Sequence, residues 1–415
     1  VGISKKIKEV HHTITGLKWS EKVNLLSIGA TLFLLFFSYP FMRTTTTSLL
    51  LTHHGVKASP YAWIYSVLCL SIIVSVFNHF QKKIRAQRLY LFSTLVTCAS
   101  FLISYSFFKT LSSLWAYPLY VLKEVYIVML VHSVLGHLNA SVHEEQAKVI
   151  YGPLGAVGSI GGILGAFSVS AFVQDWGEQN FLYLGVAIII LTGFVFLKTK
   201  NKEVHLVESK SHSPLTSIKG IKSFVFSVAA IVILSQFVIN IGNYQFNIYL
   251  NDAFSDSLGK TQFLGQVYGW INSCSLLIQV LLLPLLLKFV PPYLTHLAIP
   301  LVYGLSYFVG MAFGDGLMPM AITFVVFKGL DYSLFGAAKE LLYYALTDIQ
   351  KYGAKYVADM ISYRLAKGVI SLVLIKLPSS MIGGLLGLSV IAWIICLVPL
   401  LRSYKKLHLY KKENS

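Results

Sequence analysis

Long apolar runs, broken at fairly even intervals by short polar and basic stretches, dominate this chain. Runs such as 23–42 and 381–401 exceed the length of about 18 apolar residues that an α-helix needs to cross a hydrocarbon layer about 30 Å thick. A membrane β-barrel would instead alternate in polarity over segments of about ten residues, and the runs do not alternate. They predict helices over 22–49, 59–80, 89–108, 112–138, 149–173 and 179–198, then 224–250, 261–287, 293–313, 317–346, 358–376 and 380–401. The expected fold class is an all-α membrane protein of about twelve spans.

The long polar interruption falls in the middle. Residues 199–223 are basic and contain Ser211, Ser213, Pro214 and Ser217. They separate a first bundle at 22–198 from a second at 224–401, flanked by a leader at 1–21 and a tail at 402–415. Two six-helix halves, related as parallel repeats and joined by an inner linker, form the plan of the major facilitator transporters. The fifth predicted span reads YGPLGAVGSIGGILGA. Its pairs Gly158/Gly162 and Gly161/Gly165 are interleaved small-xxx-small patterns, which let helix backbones approach closely.

Composition agrees with membrane burial and adds an orientation. Hydrophobic residues are 55% of the 415 and charged residues only 12%, and the mean hydropathy is +0.68. A net charge of +17 would point to nucleic acid in a soluble protein. Here the lysines and arginines sort by side instead. With the N-terminus inside, about 24 of the 34 fall on the cytoplasmic face, in the leader, the loop at 81–88, the linker, the tail and the short loops with Lys148, Lys288, Lys351 and Lys355. Outside lie Lys57, Lys109, Lys260 and Lys376. Both termini are therefore expected in the cytoplasm, and no nucleic-acid partner is needed. The first residues, with Lys5, Lys6, Lys8, Lys18 and Lys22, read as an amphipathic leader rather than a cleaved signal. Cys69, Cys98, Cys274 and Cys396 lack metal-ligand spacing and read as small apolar side chains. No cofactor or metal is expected, and no catalytic triad or acid pair suggests an enzyme.

Some charges do not sort into loops. Arg43, Lys123, Lys328, Lys339, Arg364 and Lys367 fall at membrane depth, with Glu124, Asp331 and Glu340 and with Asp359 at a helix mouth. Each costs about 2.5–3.5 kcal/mol to insert, so such charges persist where they work. A positive excess suits an anionic solute. Bland readings stand beside this one: Lys328 and Asp331 can neutralise each other three residues apart, and Arg43, Arg364 and Lys367 can snorkel to an interface. Neighbours in sequence point about 100° apart, so neither Lys123–Glu124 nor Lys339–Glu340 is expected to close on itself. These two Lys–Glu dipeptides lie on the fourth and tenth spans, equivalent helices if the halves are repeats. Asn240, Asn243, Gln245 and Asn247 interrupt the seventh span and either bond other helices or contact solute. His132 and His137 fit an interfacial position or a proton relay.

Several of these motifs resemble one family, the ATP/ADP antiporters of bacteria and plastids, a divergent branch of the major facilitator fold. The match runs through Asp331, Tyr332, Ser333, Leu334 and Phe335, then Lys339–Glu340, then Asp359 with Arg364, Leu365, Ala366 and Lys367. Glu144, Glu145 and Lys148 with Tyr151, Gly152, Pro153, Leu154 and Gly155 form a second match, and Tyr39 with Arg43 a third. The resemblance implies that Arg43, Glu124 and Lys339 are retained nucleotide-site positions. The chain departs from the family where Thr44, Thr45, Thr46 and Thr47 replace an acid and a phosphate-binding lysine, and where no glutamate accompanies Asn243. A smaller or less charged anion is thus open beside ATP and ADP.

The resulting expectation is a monomeric secondary transporter, surrounded by lipid in a bacterial inner membrane, with an organelle inner membrane as the alternative. Its solute contacts would be Arg43, Lys123, Glu124, Asn243, Gln245, Lys339, Glu340, Arg364 and Lys367, with Lys328–Asp331 as a structural or coupling ion pair. Arg43, Lys123 and Lys339 would hold the anion between the halves. Glu124 and Glu340 would compete for those cations in the empty state or carry a coupled proton. A carrier of a lipid or other amphiphile, and a receptor or scaffold that keeps the fold without transport, are the alternatives.

Overall fold

The computed structural model describes residues 18–413 except 82, 142–143, 200–213, 291, 315 and 345. Most of the leader and most of the linker therefore lie outside the described residues. Twelve long helices account for nearly all the rest: α1 (Trp19–His54), α2 (Ala58–Gln81), α3 (Ala86–Thr110), α4 (Ala116–Ser141), α5 (Glu144–Trp176), α6 (Glu178–Leu197), α7 (Lys222–Ala253), α8 (Ser257–Leu277, continued by Leu283–Phe289), α9 (Pro292–Ala312), α10 (Leu317–Leu330 and Gly336–Tyr343), α11 (Asp348–Lys355 and Tyr363–Lys376) and α12 (Ile382–Glu413). Eleven helices among the described residues are long and apolar enough to cross a membrane, so the chain is a multi-pass membrane protein. The further long helix, α11, carries Lys351, Lys355, Asp359, Arg364 and Lys367, which set it apart from the others.

Three predicted boundaries move. The eleventh helix starts at Asp348, not at 358, which places Lys351 and Lys355 on helix rather than loop. α8 begins at Ser257, so Lys260 is a helical residue, and only 1% of it is exposed. α12 runs to Glu413, through most of the expected tail. In each case a polar helical turn extends past the apolar run, and hydropathy alone registers only the apolar part.

Packing divides the chain into two units that do not coincide with the two halves of the sequence. The first contains 1–55, 68–207 and 254–272; the second contains 56–67, 208–253 and 273–415. In the first, α1 is central, packed against α4, α5 and α6. Its core joins Ile28, Leu32, Leu35, Met42 and Leu49 to Phe101 of α3, Tyr126 and Leu130 of α4, and Val186 and Ile189 of α6. The α5 glycines lie where they were expected to act. A Cβ on Gly161 or Gly165 would run into the main-chain oxygen of Phe33 or Phe37, so only glycine lets α5 lie directly on the α1 backbone. Gly158 faces the ring of Phe36, and Gly162 faces Asn272. Gly55 ends α1 and Gly177 breaks α5 from α6, at φ of 69° and 78°, where a side chain would be strained.

In the second unit α7 packs against α10, α11 and α12. An aromatic cluster closes the other side of α10: Tyr303 stacks on Phe327 at 4.8 Å, and Trp393 meets Tyr303 and Phe335 edge-on at 5.6 and 5.5 Å. Among the described residues three helices contain π turns, Ile278–Leu282 in α8, Asp331–Phe335 in α10 and Tyr356–Ser362 in α11. A π turn frees main-chain carbonyls, which at membrane depth need donors. Gln279 Nε2 donates to the Tyr332 carbonyl at 3.0 Å, and Ser362 Oγ donates to the Val357 carbonyl at 2.9 Å.

Candidate functional site

In the first unit the site is built on one face of α1 and on α4. Lys123 has 2% of its surface exposed. Its Nζ lies 3.0 Å from Glu124 Oε1, donates to Thr47 Oγ1 at 3.2 Å and rests 3.8 Å from the centre of the Tyr120 ring. The pairing with Glu124 corrects the expectation that these neighbours stay apart. Their Cα–Cβ bonds do diverge, but the four-carbon stem of lysine is flexible enough to fold back over the turn.

Arg43 lies one turn before Thr47, on the same side of α1. Its guanidinium sits 3.7 Å above the Tyr268 ring and 5.5 Å from that of Tyr39. This is a half-buried aromatic seat with Tyr268 itself buried, where cation–π attraction is worth more than at an exposed site. The four threonines are buried. Thr44 and Thr46 return their hydroxyls to the Pro40 and Met42 carbonyls, both at 2.7 Å, while Thr47 faces Lys123. One hydroxyl of the run is thus turned to a cation and two are spent on the helix.

In the second unit, ion pairs gather around α10 and α11. Lys328 lies 3.9 Å from Asp331 Oδ2, at the start of the α10 π turn. Lys339 Nζ lies 2.6 Å from Asp359 Oδ1, and the Tyr343 hydroxyl donates to the same oxygen at 3.2 Å. Glu340 is held by Lys355 at 2.7 Å. The Lys339–Glu340 dipeptide therefore stays open, as expected, each member taking a partner from α11. Arg364 and Lys367 come further along α11, half-buried. Of the amides on α7, Asn240 bonds back to the Gln236 carbonyl at 2.7 Å, and Asn247 donates to Ser59 Oγ at 3.3 Å. Gln245 is buried and donates weakly to the Met311 sulfur at 3.9 Å, and its buried carbonyl oxygen has no partner among the described residues. Asn243 is half-buried. His132 is exposed, whereas His137 is buried against Phe196 at 5.1 Å.

The geometry thus joins Lys123, Glu124 and Thr47 with Arg43 one turn away in the first unit. In the second it joins Lys339 to Asp359 and Tyr343, and Glu340 to Lys355. Sequence reasoning missed Tyr120, Tyr268, Tyr343 and Lys355. Tyr120 stands three residues before Lys123 on α4, a spacing that could have found it, whereas Tyr268, Tyr343 and Lys355 meet their partners across helix–helix contacts. A buried pair of this kind has a testable energetic signature. Lys123→Met keeps the stem and removes the charge, and with Glu124→Gln beside it should change stability by less than about 2 kcal/mol. Glu124→Gln alone leaves the Lys123 ammonium without its carboxylate and should cost more, about 2–4 kcal/mol. Thermal unfolding of the two purified variants beside the wild type reads the difference.

The helix order and packing have close counterparts among solved structures. A mutant form of the nucleoside transporter NupG superposes with a TM-score of 0.68 at 13% sequence identity, covering 93% of this chain and 99% of that one. The fold is the major facilitator fold. The POT family transporter PepTSo gives the same TM-score, 0.68, at 12% identity over 95% of this chain and 99% of its own. A bacterial homologue of the iron transporter ferroportin, solved in an inward-facing state, gives 0.64 at 12% identity over 93% and 98%. In sequence, the chain is 23% identical over 368 residues to ADP,ATP carrier protein 3 of Rickettsia prowazekii (strain Madrid E), covering 72% of each protein. No protein-family model matches the chain. It looks like a diverged relative of the nucleotide carriers, as the motifs in α10 and α11 implied. These relatives are transporters rather than enzymes.

Proposed function

We propose that this protein is a secondary transporter that moves an anionic, phosphate-bearing solute by alternating access. The observation that carries the reading is the state of the lysines of the two Lys–Glu dipeptides. Lys123 and Lys339 each hold an ammonium against a carboxylate, at 3.0 and 2.6 Å, inside helices read as spanning the membrane. Such a carboxylate keeps the cation compensated until an anionic solute replaces it, which suits reversible binding. In this reading Arg43 and Lys123 of the first unit and Lys339 of the second contact the solute during a transport cycle. Arg43 offers two parallel donors to one phosphate, and the lysines offer compact charges. Gln245 and Asn243, with Arg364 and Lys367, extend the polar lining, and Lys328–Asp331 is a structural or coupling pair. The relation to a protein named as an ADP,ATP carrier supports a nucleotide or a related metabolite as the solute. The asymmetry of the basic residues supports both termini facing the cytoplasm of a bacterial inner membrane. The protein is proposed to work there as a monomer in contact with lipid.

A thermal-shift panel on the purified protein tests the reading. Nucleotides or sugar phosphates should raise the unfolding temperature, by up to about 2.7 kcal/mol of stabilisation at a hundred times the dissociation constant. Stabilisation by lysolipids alone would favour a carrier of amphiphiles. Tight binding of a nucleotide with no flux in liposomes would favour a receptor or scaffold.

A further inference from the structure

We infer that Tyr268 is a positioning residue for Arg43, its ring fixing the guanidinium in the orientation from which it takes the solute's anionic group. The inference rests on the transport reading above, in which Arg43 contacts the solute, and adds the residue that readies it. The guanidinium carbon of Arg43 lies 3.7 Å from the centre of the Tyr268 ring, which is stacking distance. A guanidinium is planar and carries its donors at its edge. Stacked on a ring, it spends its face there and keeps the edge for two parallel bonds to one anionic group. A long side chain also has much rotamer freedom to lose on binding, and ordering it beforehand lowers that cost.

A residue that positions another must itself be held, and Tyr268 is. It is 5% exposed, on a stretch of α8 that packs with the first unit although it follows the linker in sequence. Gln262, Gly265, Gly269 and Asn272 form one stripe of that stretch, and α5 lies against it. Gln262 donates to the Ser170 carbonyl at 3.1 Å and accepts from Gln174 Nε2 at 3.0 Å. A Cβ on Gly265 would come within 2.8 Å of the Ser170 main-chain nitrogen, and one on Gly269 within 2.7 Å of the Phe167 ring. This small-xxx-small pair brings the two backbones close. At the start of α8, Ser257 and Thr261 donate to the Glu178 carboxylate at 2.9 and 3.4 Å. So fastened along its length, α8 presents the Tyr268 ring as a fixed surface.

The other rings near the site's cations do not do the same work. Tyr39 stands one turn before Arg43 on α1, and its ring centre is 5.5 Å from the guanidinium, beyond stacking distance. It is turned to Tyr126, which meets it edge-on at 6.2 Å. Tyr120 lies 3.8 Å from the Lys123 ammonium, but an ammonium has no plane to orient. Tyr268 alone of these three combines stacking distance with a planar cation. The role belongs to the face of its ring, so phenylalanine can fill it and an aliphatic side chain cannot.

Binding of ADP and of inorganic pyrophosphate to the detergent-purified full chain, followed by titration calorimetry, tests this. Tyr268→Leu should weaken both probes about tenfold, and Tyr268→Phe should stay within about threefold of the wild type. Arg43→Lys keeps the charge and removes the plane, so in that background Tyr268→Leu should cost no more than about threefold. A ring that only packs would lower affinity equally in both backgrounds. Where Tyr268→Leu gives no folded protein, Tyr268→Met takes its place in the same cycle. A tenfold loss undiminished beside Arg43→Lys, or wild-type affinity in Tyr268→Leu, would overturn the inference and leave the transport reading standing. So would a loss confined to ADP, because the ring would then act on the base. No binding of either probe by the wild type would overturn both.

Discussion

Lys339→Ala is expected to abolish solute uptake in reconstituted liposomes while the purified variant remains folded. The ammonium is lost from a site where it lies 2.6 Å from Asp359, and no other lysine of α10 is near enough in sequence to replace it, Lys328 being three turns away beside Asp331. A charge-assisted contact of this kind, truncated on one side, typically costs about 2–5 kcal/mol of binding, so affinity should fall by at least about thirtyfold. Folding should be less affected. The side chain is part-exposed, and Asp359 keeps the Tyr343 hydroxyl. Uptake, ligand-induced thermal shift and the unfolding temperature without ligand are the three measurements. Full uptake by the variant would remove Lys339 from the solute path.

The second large effect is expected in packing. Gly165→Leu places a side chain against the Phe37 carbonyl oxygen, in the contact where α5 lies on the backbone of α1. Neither backbone can move aside without disturbing the core that α1 shares with α4 and α6. Overpacking a close helix crossing costs about 3 kcal/mol or more, a large fraction of the net stability of a typical fold. The variant should run as aggregate on size exclusion, or unfold well below the wild type. Gly155→Ala is the control on the same helix. A Cβ there meets nothing within 4 Å, so the change should be neutral or stabilise by up to about 1 kcal/mol. Equal behaviour of the two variants would contradict the close α1–α5 approach.

Some features were legible because they depend on one helix at a time. The span positions follow from apolar length, since a backbone in lipid must satisfy its hydrogen bonds within the helix. The glycine pattern of α5 was legible for the same reason: spacing of four puts small residues on one stripe, whatever helix lies opposite. The Lys328–Asp331 pair also follows from spacing alone. Partners across helices were not legible. Asp359 was visible as a charge at a helix mouth, yet nothing in the spacing of 339 and 359 says that their side chains meet at 2.6 Å. Glu340 was read as the competitor for a neighbouring lysine, but it turned to Lys355, which hydropathy had placed in a loop. Lys123 closed on Glu124 against the angular argument, because rotamers of a long side chain are selected by what surrounds them.

The sequence by itself thus determined that the chain is a set of membrane helices, where most of those helices lie, and which charges stay at depth. Those are one-dimensional properties, set by the cost of placing apolar and charged groups in water or lipid. Only the tertiary structure decided how the charges pair, which of the four threonines faces a cation, where three helices relax into π turns, and that residues 254–272 pack with the first unit. These depend on distances between helices far apart in the chain, and ångström differences in those distances decide which carboxylate a buried ammonium holds.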